Sequence, residues 1–323
     1  MTVSAVIPHW NRRELLEKLL TSMRGQTKAF DEVIVVDNGS NDGSPEFAES
    51  RGARVIRLDR NLGFAAAVNR GIGSAAGDWI AILNNDVTLD PNWLEILLDQ
   101  AGEAGFATGK ILSAVNPEVI DGAFDEICRA ACACRCGSGK PDAHFWNTKR
   151  TIRSAPMTAA LFRRRLFAEV GLLDERFGSY LEDVDFGLRC GLLGISGAYV
   201  PDAVAFHVGS ATHGAWNSDT VKLISRNQVL LALKHFGGVG GWPIMAGQLL
   251  WGILAVRHAR GLAWLAGKIA GLRMAREFRG ELGVNKEQRF RELLEASERS
   301  IFETQQQTGF DWYWRAYFCL LRR

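Results

Sequence analysis

Apolar residues along the first hundred positions fall into short unbroken runs that alternate with longer, helically spaced stretches. "VSAVIP" (3–8), "DEVIVVDNGS" (31–40), "ARVIRLD" (53–59) and "DWIAILN" (78–84) read as buried strands, several ending in turn residues. Between them, "RRELLEKLLTSMRGQ" (12–26) places Leu15, Leu16, Leu19, Leu20 and Met23 on one helical face. "GFAAAVNRGIGSA" (63–75) reads as a helix of small residues suited to close packing on a sheet. Strand–helix alternation predicts an α/β fold, with a mostly parallel sheet covered by helices on both faces. Ligands in such sheets bind at the carboxyl ends of the strands. Here those ends read "IPHWN" (7–11), "VDNGS" (36–40), "RNLGF" (60–64) and "LNNDV" (83–87), all polar, rich in amides or glycine-containing. They should converge on one rim.

Beyond about residue 105 the pattern loosens. "CRAACACRCGSGKPDAHFWN" (128–147) is expected to be a long loop, residues 155–194 return to helical periodicity, and "GAYVPDAVAFHVGS" (197–210) contains a strand ending near His207. From Trp216 onward mainly helices are expected, and no internal repeat is evident. This predicts an α/β catalytic domain over 1–215 and a helical C-terminal region over 216–323.

Charge separates the two parts. Residues 1–215 carry 22 Lys+Arg and 27 Asp+Glu, whereas 216–323 carry 16 and 9. A basic tail suits nucleic acid or an anionic membrane surface. The triplet "RRR" (163–165) has no interleaved aromatics for base stacking, so nucleic acid is not expected as a partner. In "RGLAWLAGKIAGLRMAREFRG" (260–280), Leu262, Leu265, Ile269 and Leu272 share one face, and the basic residues lie mostly elsewhere. Such a helix can rest on an anionic leaflet, on its own catalytic domain or on a second subunit as a homodimer contact.

No stretch reads as a signal peptide, and the most apolar segment, "WPIMAGQLLWGILAV" (242–256), is shorter than a span of roughly 20 residues. The expected location is cytoplasmic, with peripheral contact at the inner face of the membrane. Cys128, Cys132, Cys134 and Cys136 have spacing unlike paired C-x2-C knuckles, which favours small loop side chains over a zinc site.

Taken together, "VIP", "VVDNGS", "RNLGFAAAVNRGI", "GDWIAILNNDV", "GLLDERF" and "YLEDVDFGLR", followed by a downstream histidine, resemble the family 2 glycosyltransferases. The likeness runs over about 3–210 and is greatest to the bacterial rhamnosyltransferase-like branch. It implies the GT-A fold, a nucleotide-diphosphate sugar donor, and a glycan or lipid-linked acceptor. It also implies a divalent metal, Mg²⁺ or Mn²⁺, on the donor diphosphate.

Residue by residue, the resemblance implies the following roles. "LNNDV" stands at a D-x-D-like metal site, with Asn84 in the first Asp position, Asn85 beside it and Asp86 as the retained carboxylate. His207 is the further metal ligand. Asp37 and Asn38 correspond to the base- and ribose-binding pair. Pro8 and Asn11 line the nucleotide from the first strand, while Asn61, Gly63 and Asn69 approach the diphosphate–sugar side. Asp183 is the general base that deprotonates the acceptor hydroxyl in a single inverting displacement. Glu182 and Asp185 support it, with Asp185 placed to pair with Arg189 at i,i+4.

The expected activity is therefore an inverting transfer, plausibly of rhamnose from dTDP-rhamnose, to a cell-surface polysaccharide or its lipid-linked precursor. Two other readings stay open: a nucleotide-binding pseudoenzyme at the membrane, which Asn84 favours, and a sugar-nucleotide nucleotidyltransferase. The latter needs a glycine-rich basic loop after the first strand, and "IPHWNRRELL" has no glycine there. A dinucleotide dehydrogenase is excluded by the lack of G-x-G-x-x-G after that strand.

Overall fold

The structure is a computed structural model that describes residues 1–209, 216–237, 241–278 and 287–321. It divides into two compact units, Met1–Phe124 with Gly137–Gly209, and Asp125–Cys136 with Ser210–Arg323.

The first unit is built on a sheet. Strand β1 (Val3–His9) leads into helix α1 (Arg13–Arg24), then β2 (Glu32–Asp37), α2 (Ser44–Ser50), β3 (Arg54–Arg57), α3 (Phe64–Ser74) and β4 (Trp79–Leu83). There follow β5 (Val87–Leu89), α4 (Trp93–Gln100), β6 (Phe106–Ser113) and β7 (Ile120–Gly122). Strands β8 (Phe124–Ile127) and β9 (Ala133–Cys136) form a separate two-stranded sheet that, from Asp125 on, belongs to the second unit. Strands β10 (Arg150–Ile152) and β11 (Ala159–Arg163), helices α5 (Arg164–Glu169) and α6 (Glu182–Leu193), and β12 (Gly197–His207) complete the set. Among the described residues the large sheet has ten strands, ordered β10-β12-β6-β11-β4-β1-β2-β3, with β5 paired to β12 and β7 to β6.

Alternation along β2 explains its two-sided burial. Val35 joins the core formed by Leu16, Leu19 and Leu20 of α1 and Trp93, Leu94 and Leu97 of α4. Ile34 and Val36 point the other way and pack with Ala67 of α3. Gly71 lets α3 lie unusually close: a Cβ there would stand 2.3 Å from Val6 Cγ1 and 3.2 Å from Val36 Cγ2.

Strand β1 is the topological switch point. It pairs in parallel with β2 on one side and β4 on the other. The β1–β2 ladder continues to His9–Asp37, but the β1–β4 ladder stops at Val6–Ile82. Pro8 has no N–H with which to extend it. The two strands part at their carboxyl ends, where an open α/β sheet offers its ligand crevice.

Two expectations fail. Helical periodicity was expected to resume over 155–194, yet Ala159–Arg163 is a central strand, antiparallel to both β4 and β6. Its run "AALFR" is short and apolar, a case in which periodicity does not separate helix from strand. The expected loop over 128–147 instead contains β9 and a 3₁₀ turn at His144–Asn147.

The second unit is helical. Helix α7 (Ser218–Leu231) continues as a π-helical turn over Ala232–Phe236. It is followed by α8 (Trp242–Arg257), α9 (Gly261–Arg273), α10 (Glu287–Thr308) and α11 (Trp312–Leu321). Gly267 and Gly271 bring α9 against α7, since added Cβ atoms would lie 2.3 Å from Lys222 O and 2.7 Å from Val229 Cβ. The expected helix over 260–280 ends earlier, with α9 stopping at Arg273 and a 3₁₀ turn over Ala275–Phe278, and positions 279–280 lie outside the described residues.

Cys128, Cys132, Cys134 and Cys136 are buried free thiols of this unit rather than residues of an open loop. Cys132 Sγ accepts from Gln228 Nε2 at 3.5 Å and Gln248 Nε2 at 3.4 Å. Lys268 Nζ donates to Ser225 O, Gln228 Oε1 and Gln248 Oε1, closing a buried polar network. Burial lowers the Lys268 pKa to about 8, against the opposing pull of Cys132.

Gly71→Ala should destabilise the protein by about 1–3 kcal/mol through overpacking, measured as a fall in urea midpoint at constant slope. Val6→Ala added to it should recover part of the loss. No loss in the single variant would contradict the close α3–sheet contact.

Candidate active site

The strand ends around the switch point are joined by hydrogen bonds into a nearly continuous rim. Asn11, in the left-handed region at φ 54°, receives Asn41 N–H on its Oδ1 and donates its own N–H to Ser40 Oγ. Asp37 closes a turn by accepting Ser40 N–H at 3.1 and 3.2 Å. Asn38 Nδ2 donates to Asn61 Oδ1 and Gly63 O, and its Oδ1 accepts Leu62 N–H. Gly63, at φ +92°, touches the next segment so closely that a Cβ would lie 2.9 Å from Gly178 O. Ala65 N–H donates to that carbonyl and Phe64 N–H to Ser179 Oγ.

Those bonds fix the entry to α6, where Tyr180 and Leu181 are both left-handed, at φ 73° and 68°. Two successive non-glycine residues in this region store backbone strain, which the surrounding structure must hold. They aim the start of α6, with Glu182 buried and Asp183 half-buried. Asp183 Oδ1 accepts Val184 N–H, and its carbonyl accepts Ser154 Oγ–H. Four residues further on, Thr158 O accepts Asn84 N–H at the end of β4. A four-residue segment spans at most about 14 Å, so one short stretch of chain links the backbone of Asp183 to that of the LNNDV turn.

The turn itself is held by a residue that the sequence reasoning missed. His9 ends β1, is 2% exposed, and its Nδ1 lies 2.9 Å from Asn85 Nδ2. Burial lowers its pKa to about 4, against Asp42, Asp37 and Glu14, so the ring is neutral. Nδ1 must accept from the amide, which leaves the proton on Nε2. That nitrogen and Asn84 Oδ1 are buried without hydrogen-bond partners. The signal was present in "IPHWN", a histidine ending an apolar strand, but Pro8 and Asn11 drew the attention.

Asp86 and His207 meet because β5 and β12 pair antiparallel with His207 opposite Val87. His207 Nε2 is 3.1 Å from Asp86 Oδ1, and Nδ1 is 2.9 Å from Asp121 Oδ2. Asp121 is delivered by β7 through its pairing with β6. It lies in the 106–160 region, where no motif marks it. Burial disfavours the charge on His207, but Asp121 and Asp86 outweigh it and raise the pKa to about 9.

Three of the expected site residues carry hydrogen bonds within the protein. Asn69 is buried: Nδ2 donates to Leu173 O and to Glu175 Oε1, and Oδ1 accepts Leu173 N–H. Asn38 spends its amide on the 61–63 loop. Asp185 is fully buried against Arg189 at 2.9 Å, whose guanidinium also donates to Val170 O and Leu172 O. Asp37 remains on the wall of a cleft of about 450 Å³, with Ser40, Asn41, Arg57 and Asp59. Pro8 is buried one residue before His9.

Once the His207 ring gives up its Nε2 proton, Asp86 and His207 offer an oxygen and an imidazole nitrogen, a donor pair suited to Mg²⁺ or Mn²⁺, with Asp121 behind the ring as the orienting carboxylate. Among the described residues no group of three or more His, Cys, Asp or Glu is arranged to hold a metal unaided. The pair therefore fits a cation whose remaining ligands come from a bound diphosphate and water.

A mostly parallel sheet with a polar switch point at its carboxyl rim is suited to binding a nucleotide. Residues 4–171 match the model of glycosyl transferase family 2, and the chain belongs to that family. It is 31% identical over 272 residues to the N-acetylglucosaminyl-diphospho-decaprenol L-rhamnosyltransferase of Mycobacterium tuberculosis, covering 75% of this chain and 87% of that protein. The chain is a glycosyltransferase of the rhamnosyltransferase-like branch. Its fold is shared with GalNAc-T7, crystallised with UDP, GalNAc and Mn²⁺, at TM-score 0.65 and 16% identity, covering 96% of this chain and 58% of that one. It is shared also with a mannosyltransferase of Pyrobaculum calidifontis in complex with GDP-Man and Mn²⁺, at TM-score 0.51 and 17% identity, covering 98% and 86%. The fold is thus GT-A, as the motifs implied.

In metal-free buffer, His207→Gln should cost roughly 1–3 kcal/mol at pH 6. A raised folded pKa stabilises fully below the unfolded value of 6.5 and loses that effect as pH rises through about 9. The gap between variant and parent in urea denaturation should shrink across that window. A gap constant from pH 6 to 10 would contradict the doubly paired imidazolium.

Proposed function

We propose that the protein transfers a sugar, with inversion, from a nucleotide-diphosphate donor to a glycan or lipid-linked acceptor. L-rhamnose from its dTDP donor is the favoured sugar, and a lipid-diphosphate-linked N-acetylglucosamine the favoured acceptor. The support for sugar and acceptor is the name borne by the mycobacterial relative. The support for the chemistry is the tie of Asp183 to the LNNDV turn through Ser154–Thr158.

In this reading Asp183 accepts the proton of the acceptor hydroxyl as its oxygen bonds to the anomeric carbon. The bond from that carbon to the donor phosphate oxygen breaks on the opposite side, which inverts the anomeric centre. Asp37 and Asn11 bind the nucleoside at the β1–β2 rim, with Pro8 beneath it. Asn38 and Asn61 hold the 61–63 loop, so that Gly63 presents backbone to the diphosphate–sugar side. Glu182 shapes the entry of α6, and the Asp185–Arg189 pair fixes its roll. Asn84 and Asn85 offer amides to ribose or phosphate. Asp86 and His207 would hold Mg²⁺ or Mn²⁺, which when bound supplies positive charge against the departing diphosphate.

One observation favours the pseudoenzyme as a second reading: an amide, Asn84, stands where the family motif has a carboxylate. The two separate in one experiment. Asp183→Asn should retain the thermal stabilisation given by dTDP with Mn²⁺ and lose sugar transfer by about 10²–10⁴-fold, scored by release of dTDP from dTDP-rhamnose in the presence of acceptor. A parent protein that is stabilised by nucleotide but turns over no donor would establish the pseudoenzyme instead.

A further inference from the structure

We propose that helices α8 and α9 form a docking face for an anionic lipid bilayer surface. This does not depend on the donor or acceptor proposed above. The expectation from sequence concerned a single helix over 260–280, whereas the structure puts two helices side by side with their apolar residues turned outward. On α8, Trp242, Met245, Leu249, Ile253 and Val256 are 50–64% exposed. On α9, Leu262, Leu265, Ile269 and Leu272 are 43–86% exposed. Single exposed leucines are ordinary on a protein surface, but two registered rows are not.

The rows join. The helices meet where a Cβ on Gly252 would lie 2.8 Å from the Trp264 ring, and again where Lys268 reaches Gln248. Leu249 and Val256 lie three residues before and four after Gly252. Leu265 and Leu272 bear the same relation to Lys268. Positions three and four apart share a helix face, so both apolar rows border the seam and make one surface.

Charge selects the occupant. From Thr220 to Arg276 the sequence has eight Lys and Arg and no Asp or Glu. Of these, Lys222, Arg257, Arg273 and Arg276 are exposed. An apolar face on helices that carry several cations and no Asp or Glu of their own, with Glu277 beyond them, matches the boundary between acyl chains and anionic headgroups, where basic side chains gain from the surface potential. Trp242, exposed at the start of α8, suits the same depth. With 16 and 13 residues, α8 and α9 are shorter than the roughly 20 of a membrane span, so they lie along the interface.

The test is co-sedimentation of the whole protein with phosphatidylcholine vesicles, with and without phosphatidylglycerol. Binding should require phosphatidylglycerol, weaken with added salt, and fall by roughly tenfold or more in the double variant Leu249→Glu, Leu265→Glu. Because that variant could misfold, Arg273→Gln, Arg276→Gln is measured alongside; both side chains are exposed, and it should weaken binding while leaving the melting curve unchanged. Either of two results would overturn the proposal. One is equal binding by the parent and the folded variants. The other is no vesicle binding together with a stable dimer that the Leu249→Glu, Leu265→Glu variant dissociates, which would assign the face to a second copy of the chain.

Discussion

The parting of β1 from β4 beyond Val6–Ile82 is the constraint on which the rest of the first unit depends. Once the strands separate, their ends expose polar groups that no ladder satisfies, and buried polar groups must find partners. The structure answers with side chains. His9 meets Asn85, Asn38 bridges to Asn61 and Gly63, and Gly63 abuts Gly178. The same bonds that satisfy the crevice also place Asp183, because the strained Tyr180–Leu181 step follows directly from the Gly178–Ser179 contact. Fold and site are therefore one construction. His9 Nε2 and Asn84 Oδ1, at the ends of β1 and β4, stay buried without hydrogen-bond partners.

Much of this was legible in the sequence. The apolar runs of β1, β2 and β4 and the leucine spacing of α1 are local signals, and the polar strand ends follow from the rule that parallel sheets bind at their carboxyl edge. What was not legible depends on register. Asp121 meets His207 only because β7 pairs with β6 and β6 with β12, and no spacing along the chain encodes that. Strand β11 was hidden because four apolar residues and an arginine carry no period. The spacing also does not show that Asn69 bonds Leu173 and Glu175, or that Asn38 bonds Asn61, Leu62 and Gly63, since those partners lie far along the chain or across a loop.

The second unit follows a different logic. Its cysteine cluster looked like loose loop chemistry, but the thiols are buried with Gln228, Gln248 and Lys268, and glycines bring α9 close to α7. Polar and small residues line the contacts of α9 with α7 and α8, large side chains such as Phe236, Phe290 and Tyr317 are buried elsewhere in the unit, and many of the large apolar side chains of α8 and α9 point outward. Composition alone could not reveal this inversion, because hydrophobic periodicity marks an apolar stripe without saying whether protein or another surface covers it.

In the proposed donor site Asp86 and His207 would bind a divalent cation jointly with a nucleotide diphosphate. Electron paramagnetic resonance of Mn²⁺, which counts the free ion as protein is added with and without dTDP, is the decisive measurement. Tight binding should appear only with the nucleotide and weaken by roughly 10–100-fold in Asp86→Asn and in His207→Gln. Equal Mn²⁺ binding by the parent and both variants in the presence of dTDP would contradict it.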